Sequence, residues 1–245
     1  FSRPKNLLKN PLQFTGISKA MNSEEIQNEL LNCIRLADRR AANQLLETWT
    51  SEHGFERLIV EVLEPALTQL GEAWQRKEVF TIAQAYVAAK IVEDSLVRIA
   101  AQTPSGAVAE KGAVVLGNIQ DDFHSLGCRL VAIFLQKDGW RVHNLGNDVA
   151  ASVFVDKALE VGARIIGVSA MIYTTAQNII QVRQEIDRRG LTGRLQLAVG
   201  GAIFMARPAL VAEVGADGTA GNALEASQLF VRLQERAEAF TPAHG

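Results

Sequence analysis

From Gly112 onward, short apolar runs alternate with longer helical patterns, and few folds accept that grammar. The strand-like runs are Ala113–Ile119, Arg141–Leu145, Ile165–Ala170, Gln196–Val199 and the weaker Gly218–Ala220. Helical patterns separate them at Ser125–Lys137, Ala150–Val161, Thr175–Arg189, Arg207–Val214 and Ala223–Ala239. A strand followed by a crossover helix and another strand builds a parallel sheet with helices on both faces. Ligands of such sheets lie beyond the carboxyl ends of the strands, so the loops after Ile119, Ala170 and Val199 are where chemistry is expected.

The part before Gly112 reads as helix only. Asn22-Ser23-Glu24-Glu25 places a polar cap before acidic residues, a good helix start, and Leu30, Leu31, Ile34 and Leu36 follow. A second helix is expected over Asp38–Thr50, a third over Phe55–Gln75 with a kink at Pro65, and a fourth over Thr81–Ala101. Four helices with short connections make a small bundle. The expected organisation is therefore α then α/β. It comprises a leader or disordered extension over 1–20, a helical domain over 21–104 and a linker over 105–111. A flavodoxin-like, five-stranded, doubly wound parallel domain follows over 112–245.

Charge and composition exclude several functions. Lys and Arg total 25 against 27 Asp and Glu, with neither a basic stripe for nucleic acid nor an acidic tail. No apolar run has membrane-spanning length, and no segment reads as a secretory signal. Cys33 and Cys128 lie far apart in helical segments, which argues against a disulfide framework and gives no cysteine metal site. A reduced, cytoplasmic setting is expected.

The three loops carry unusual residues. Taken singly, each has an ordinary role: His124 as a solvated residue at a helix start, Asp122 as a capping acid, Gly200-Gly201 as a turn, and Ser169 as a small strand-end residue. Their combination is specific. Asp122-Phe123-His124-Ser125-Leu126-Gly127 reads Asp-x-His-x-x-Gly; after 41 intervening residues comes Ser169-Ala170-Met171, and after 28 more Gly200-Gly201. This pattern resembles the cobalamin-binding domains of methionine synthase, corrinoid methyltransferase subunits and base-off mutases, over about 112–235. Gly146-Asn147-Asp148 and Gly215-Ala216-Asp217-Gly218 add to the likeness.

The resemblance implies a cobalt corrinoid bound with its own lower base displaced and His124 ligating the metal in its place. Neutral imidazole suits such a metal, and its second nitrogen needs an acceptor that sets tautomer and basicity. Asp122 has that role by resemblance, with Thr175 as the hydroxyl bonded to it. The displaced nucleotide tail would run beside the sheet, past Gly127, Gly200 and Gly201, with Ser169 hydrogen-bonded to the base. Ser125 follows the ligand position, Met171 stands where Leu is usual, and Tyr173 stands where a smaller residue is common and would crowd or stack on the tail.

In the helical half, Gly71–Phe80 and Ala88-Ala89 resemble the cap that precedes this domain, which makes Trp74, Val79 and Phe80 candidates for covering the upper face of the corrin. Amphipathic helices also bury such residues as plain core.

Two functions stay open at this point. One is a non-catalytic methyl carrier docked by separate methyltransferase subunits, with a linker that lets the cap swing away. The other is a cobalamin-dependent sensor or adaptor that contacts a signalling partner, with a homo-oligomer left open. The Glu-His pair of the light-sensing class is absent, since Trp74 plus nine residues leads to Gln84-Ala85. No feature supplies the substrate barrel of a mutase.

Overall fold

A computed structural model describes residues 21–75, 81–102 and 111–240, without the side chains of 71–75, 100 and 102. Residues 1–20, Val79, Phe80, the Trp74 side chain and nearly all of the 105–111 linker lie outside the described residues.

Helix α1 (Ser23–Arg35) starts in a reciprocal cap: the Glu25 amide donates to the Asn22 side chain, and the Glu25 carboxylate accepts from the Asn22 amide. Helix α2 (Arg39–His53) is capped by Asp38, which accepts from the Ala41 amide, and ends at Gly54 with a positive φ of 81°. The expected third helix is divided more finely than a kink. It runs as α3 (Phe55–Arg57), a π-helical stretch Leu58–Leu63, and α4 (Glu64–Gln75).

Pro65 explains the wide turn. It has no N–H for the carbonyl of Glu61, one turn earlier, and its ring crowds that position. The chain widens so that Glu64 N–H reaches Ile59 instead, and the Gln27 side chain of α1 donates to the Glu61 carbonyl. Gln27→Ala leaves that carbonyl without its donor. The variant is expected to cost about 1 kcal/mol in urea unfolding of the helical part.

Helix α5 (Ile82–Gln102) follows, and the chain divides into two compact units within it, between Val92 and Glu93. The first unit buries Ile26, Leu30, Leu46, Trp49, Ile59 and Val62, among others.

The second unit holds β1 (Ala113–Asn118), α6 (Ser125–Lys137), β2 (Arg141–Asn144), α7 (Ala151–Val161) and β3 (Ile165–Ser169). It continues with α8 (Tyr173–Gln177), α9 (Ile179–Arg188), β4 (Gln196–Gly200), α10 (Ala202–Ala206), α11 (Leu210–Glu213), β5 (Gly218–Thr219) and α12 (Ala223–Ala239). All strand pairs are parallel, in the order β2-β1-β3-β4-β5. The inner strands are buried on both faces, as covered parallel sheets are.

Period-two alternation sorts the strand side chains. Val114 and Leu116 pack with Leu135, Leu229 and Phe230 of α6 and α12. Val115 and Ile166 pack with Phe154, Ile179 and Val182 of α7 and α9 on the other face. The chain leaves β1 in one direction for β2 and returns past it to β3, so the order reverses between β1 and β3. A crevice opens at that place beyond the carboxyl ends.

Two helical expectations differ in detail. The pattern over Thr175–Arg189 starts earlier and breaks at Asn178, whose side chain donates to the Gln120 carbonyl. The pattern over Arg207–Val214 holds only the short α11, which starts after Pro208, and a separate helix, α10, precedes it.

Among the described residues no helix is long and apolar enough to cross a membrane. Cys33 and Cys128 are buried free thiols. Burial, with the nearby carboxylates of Glu29 and Asp38, pushes Cys33 up to about 11, and burial pushes Cys128 up to about 12.

Candidate functional site

The loop from β1 to α6 turns back on itself before releasing His124. Asp121 has a left-handed φ of 66°, and its amide donates to the Asp148 side chain at 2.9 Å. Asp148, itself at φ 56°, donates its own amide to the Asp122 carbonyl. The Gly146-Asn147-Asp148 segment thus braces the loop from the side.

Asp122 is the hub. It is fully buried, yet its carboxylate accepts five hydrogen bonds. Oδ1 takes the His124 amide at 3.0 Å, the Asn118 side-chain amide at 3.2 Å and His124 Nδ1 at 3.2 Å. Oδ2 takes the Met171 amide and the Thr175 hydroxyl, both at 2.8 Å. Burial alone would raise its pKa. The hydrogen bonds from the Met171 and His124 amides, Thr175 and Asn118 outweigh it and hold the carboxyl down at about 2.

An ionised carboxylate can only accept, so His124 Nδ1 carries the proton and Nε2 presents its lone pair. The His124 side chain is 56% exposed, whereas Asp122 beside it has no exposure. The arrangement offers one oriented imidazole nitrogen at the crevice. Thr175 has a single proton to give and lies 3.0 Å from the Ile172 carbonyl as well; the charged acceptor makes the stronger bond.

Asn118 escaped sequence reasoning. It closes β1 fully buried, and its amide bridges the Asp122 carboxylate and the His124 carbonyl at 3.0 Å. Its one signal in the sequence is an Asn at the end of an otherwise apolar strand. Met171 contributes through its backbone amide, while its side chain is exposed, as are those of Phe123, Ile172 and Met205 in the segments that follow β1, β3 and β4.

A cavity opens between the sheet and helices α6 and α12, at the carboxyl half of β1, β3 and β4. Ser169, Gly167 and Gly200 line it, together with Leu116, Leu229 and Phe230 among other apolar residues. A Cβ added at Gly200 would meet nothing within 4 Å, so its bare face borders open space. Gly201 differs: at φ 112° its Cβ would collide with the Ala170 backbone. Gly127 also faces open space. Ser125 opens α6 directly after His124.

Tyr173 stands apart from the cavity. It packs against the core of the opposite sheet face, its ring covered by the Arg207 guanidinium at 4.3 Å and its hydroxyl bonded to Gln177. The structure therefore brings Asp122, His124, Met171 and Thr175 together by direct bonds. Ser169 and Gly200 sit along the adjoining cavity.

These features fit a corrinoid. A lone imidazole suits a metal whose other positions a macrocycle fills, and among the described residues no group of three or more His, Cys, Asp or Glu could hold a bare ion. An apolar cavity lies beside the carboxyl ends of the same strands.

Comparison with known proteins gives a consistent picture. A B12 binding domain model matches residues 112–228, and a second B12 binding domain model matches residues 26–98. Dimethylamine corrinoid protein 2 of Methanosarcina mazei is 32% identical over 207 residues, covering 83% of this chain and 92% of that protein. Trimethylamine corrinoid protein 1 of the same organism is 33% identical over 153 residues, 58% of this chain and 68% of that protein. The monomethylamine corrinoid protein of Methanosarcina barkeri superimposes with a TM-score of 0.76 at 22% identity, over 86% of this chain and all of that one, and so shares the fold.

Proposed function

The chain belongs to the B12-binding corrinoid protein family, and on that premise we propose that His124 Nε2 ligates the corrinoid cobalt from below while the nucleotide tail occupies the cavity beside the sheet. We propose further that the chain is a methyl carrier, docked by methyltransferase subunits that act on methylamines. The hydrogen bond from His124 Nδ1 to a carboxylate held ionised is the observation that carries the ligand assignment. The relatives named for dimethylamine and trimethylamine support the carrier over the sensor.

When bound, the corrinoid supplies a cobalt able to accept and release a methyl group. The protein's part is to hold and tune it. Asp122 fixes the His124 tautomer and ring orientation, as a carboxylate partner does for metal-bound imidazoles. Thr175, Asn118 and the Met171 amide keep that carboxylate charged and still. Exposed Phe123, Met171 and Ile172 offer an apolar edge to the flat ring. Trp74, Val79 and Phe80 are proposed as candidates to shield the upper face of the corrin.

Spin resonance of the cob(II) form tests the ligand. In protein labelled with nitrogen-15, the coupling to the axial nitrogen is expected to take the two-line form of that isotope, and to vanish in His124→Ala. Coupling that ignores the protein label would mean that the cofactor's own base remains on cobalt.

A further inference from the structure

We propose that the cavity between the sheet and helices α6 and α12 selects corrinoids by the chemistry of their lower base, accepting apolar benzimidazole- or phenol-type bases and discriminating against purines. The proposal rests on the reading that the displaced tail enters this cavity. It adds which tails are accepted.

The cavity's lining carries the argument. It is a half-open groove whose empty space, solvent at its mouth included, is about 410 Å³. Its walls are almost wholly apolar, with Leu116, Val131, Leu229 and Phe230 among them, and Ser169 provides the lone hydroxyl. The strand-end carbonyls beside it are already engaged, since Ser169 accepts from the Ile119 amide and Gly200 accepts from the Ala170 amide. Among the described residues, none of the buried side-chain polar atoms that lack a partner belongs to the lining.

A base with one or two polar atoms can be satisfied there by Ser169. Adenine brings an exocyclic amine with two donors and three further ring nitrogens, whereas the lining side chains offer the Ser169 hydroxyl and the weakly bonding Cys128 thiol. Each buried polar group left without a partner is costly, enough for a loss of about 10- to 100-fold in affinity.

The width of the cavity is set by glycine. A Cβ on Gly167 would lie 2.5 Å from Leu116 Cδ2 and 2.9 Å from Phe230 Cζ, forcing two lining side chains to shift. A side chain on Gly200 would meet no protein atom at its Cβ and would grow into the space, without strain from a positive φ. Gly200→Leu is thus a plug that the fold tolerates.

The test measures dissociation constants of the full chain, freed of cofactor, by equilibrium dialysis with visible absorbance. Four corrinoids are compared: cobalamin, a p-cresolyl cobamide, an adenyl cobamide, and cobinamide, which has no nucleotide. The cresolyl and adenyl forms are the decisive pair. The first has no nitrogen to coordinate cobalt and the second coordinates weakly, so little of the difference between them comes from displacing a bound base.

The cresolyl form is expected to bind about 10- to 100-fold more tightly than the adenyl form. Gly200→Leu is expected to bring all three tailed forms to the affinity of cobinamide while cobinamide binding itself is kept, which also shows that the variant is folded. Equal binding of cresolyl and adenyl forms, both weakened by Gly200→Leu, would overturn the selectivity and leave the tail in the cavity. Cobinamide binding wild type as tightly as cobalamin, with Gly200→Leu without effect, would instead overturn the tail placement on which the proposal rests.

Discussion

Asp122→Ala is expected to destabilise the cofactor-free sheet unit by about 3–4 kcal/mol, a large loss for one exchange at a loop position. The size follows from what remains behind. Thr175 can turn its proton to the Ile172 carbonyl, and the Asn118 amide keeps the His124 carbonyl. The backbone amides of Met171 and His124 have no such alternative, and each loses the acceptor it now reaches at 2.8 and 3.0 Å. A buried amide without a partner costs about 1–3 kcal/mol, and relief from burying the carboxylate offsets only part of two such losses. Asp122→Asn retains one acceptor oxygen and should lose about half as much. Urea unfolding of the cofactor-free chain measures both. A loss below about 1 kcal/mol for the Ala variant would show that the His124 loop holds its shape without the carboxylate.

The same carboxylate has a pH signature. Its folded pKa is depressed from 3.8 to about 2 by hydrogen bonds that outweigh burial. The stabilisation linked to it is therefore complete above about pH 4 and is lost as the pH falls through about 2. The shift corresponds to about 2 kcal/mol. Wild type should lose that increment on acidification across this window, and Asp122→Asn, with nothing to protonate there, should not.

The sheet was legible because its strands are short, apolar and evenly interrupted, so Val114–Leu116 and Ile165–Val168 could hardly be anything but buried parallel strands. The site loops were legible for the same reason: once the strands are placed, their carboxyl ends carry His124, Met171 and Gly200. Other features depended on contacts that spacing does not encode. Pro65 announces a disturbed helix, but the widened turn before it depends on Gln27 reaching in from α1. Helix α10 begins directly after a glycine pair that reads as a turn, ahead of the helix expected from Arg207. Asn118 looks like a poor strand residue until the loop folds over it and supplies a carboxylate and a carbonyl for its amide. Tyr173, expected against the tail, is drawn to the other sheet face by Arg207 and the core there.

Gly201→Val is expected to abolish stable folding of the sheet unit, while Gly200→Ala should change stability by less than about 0.5 kcal/mol. Adjacent glycines look equivalent in a sequence, and these two are present for different reasons. Gly201 sits at φ 112°, where L side chains are strained whatever the space, and its Cβ would press into the carbonyl of Ala170. Ala170 cannot yield, because it is fully buried and its amide is bonded to the Gly200 carbonyl at 3.0 Å. Relief would have to come from separating the ends of β3 and β4, where Ser169 pairs with Gly200. Gly200 has neither constraint, and what it preserves is space in the cavity. Circular dichroism through a urea titration separates the two cases. If Gly201→Val unfolds at the wild-type midpoint, the backbone at this corner relaxes freely, and the glycine pair serves the ligand alone.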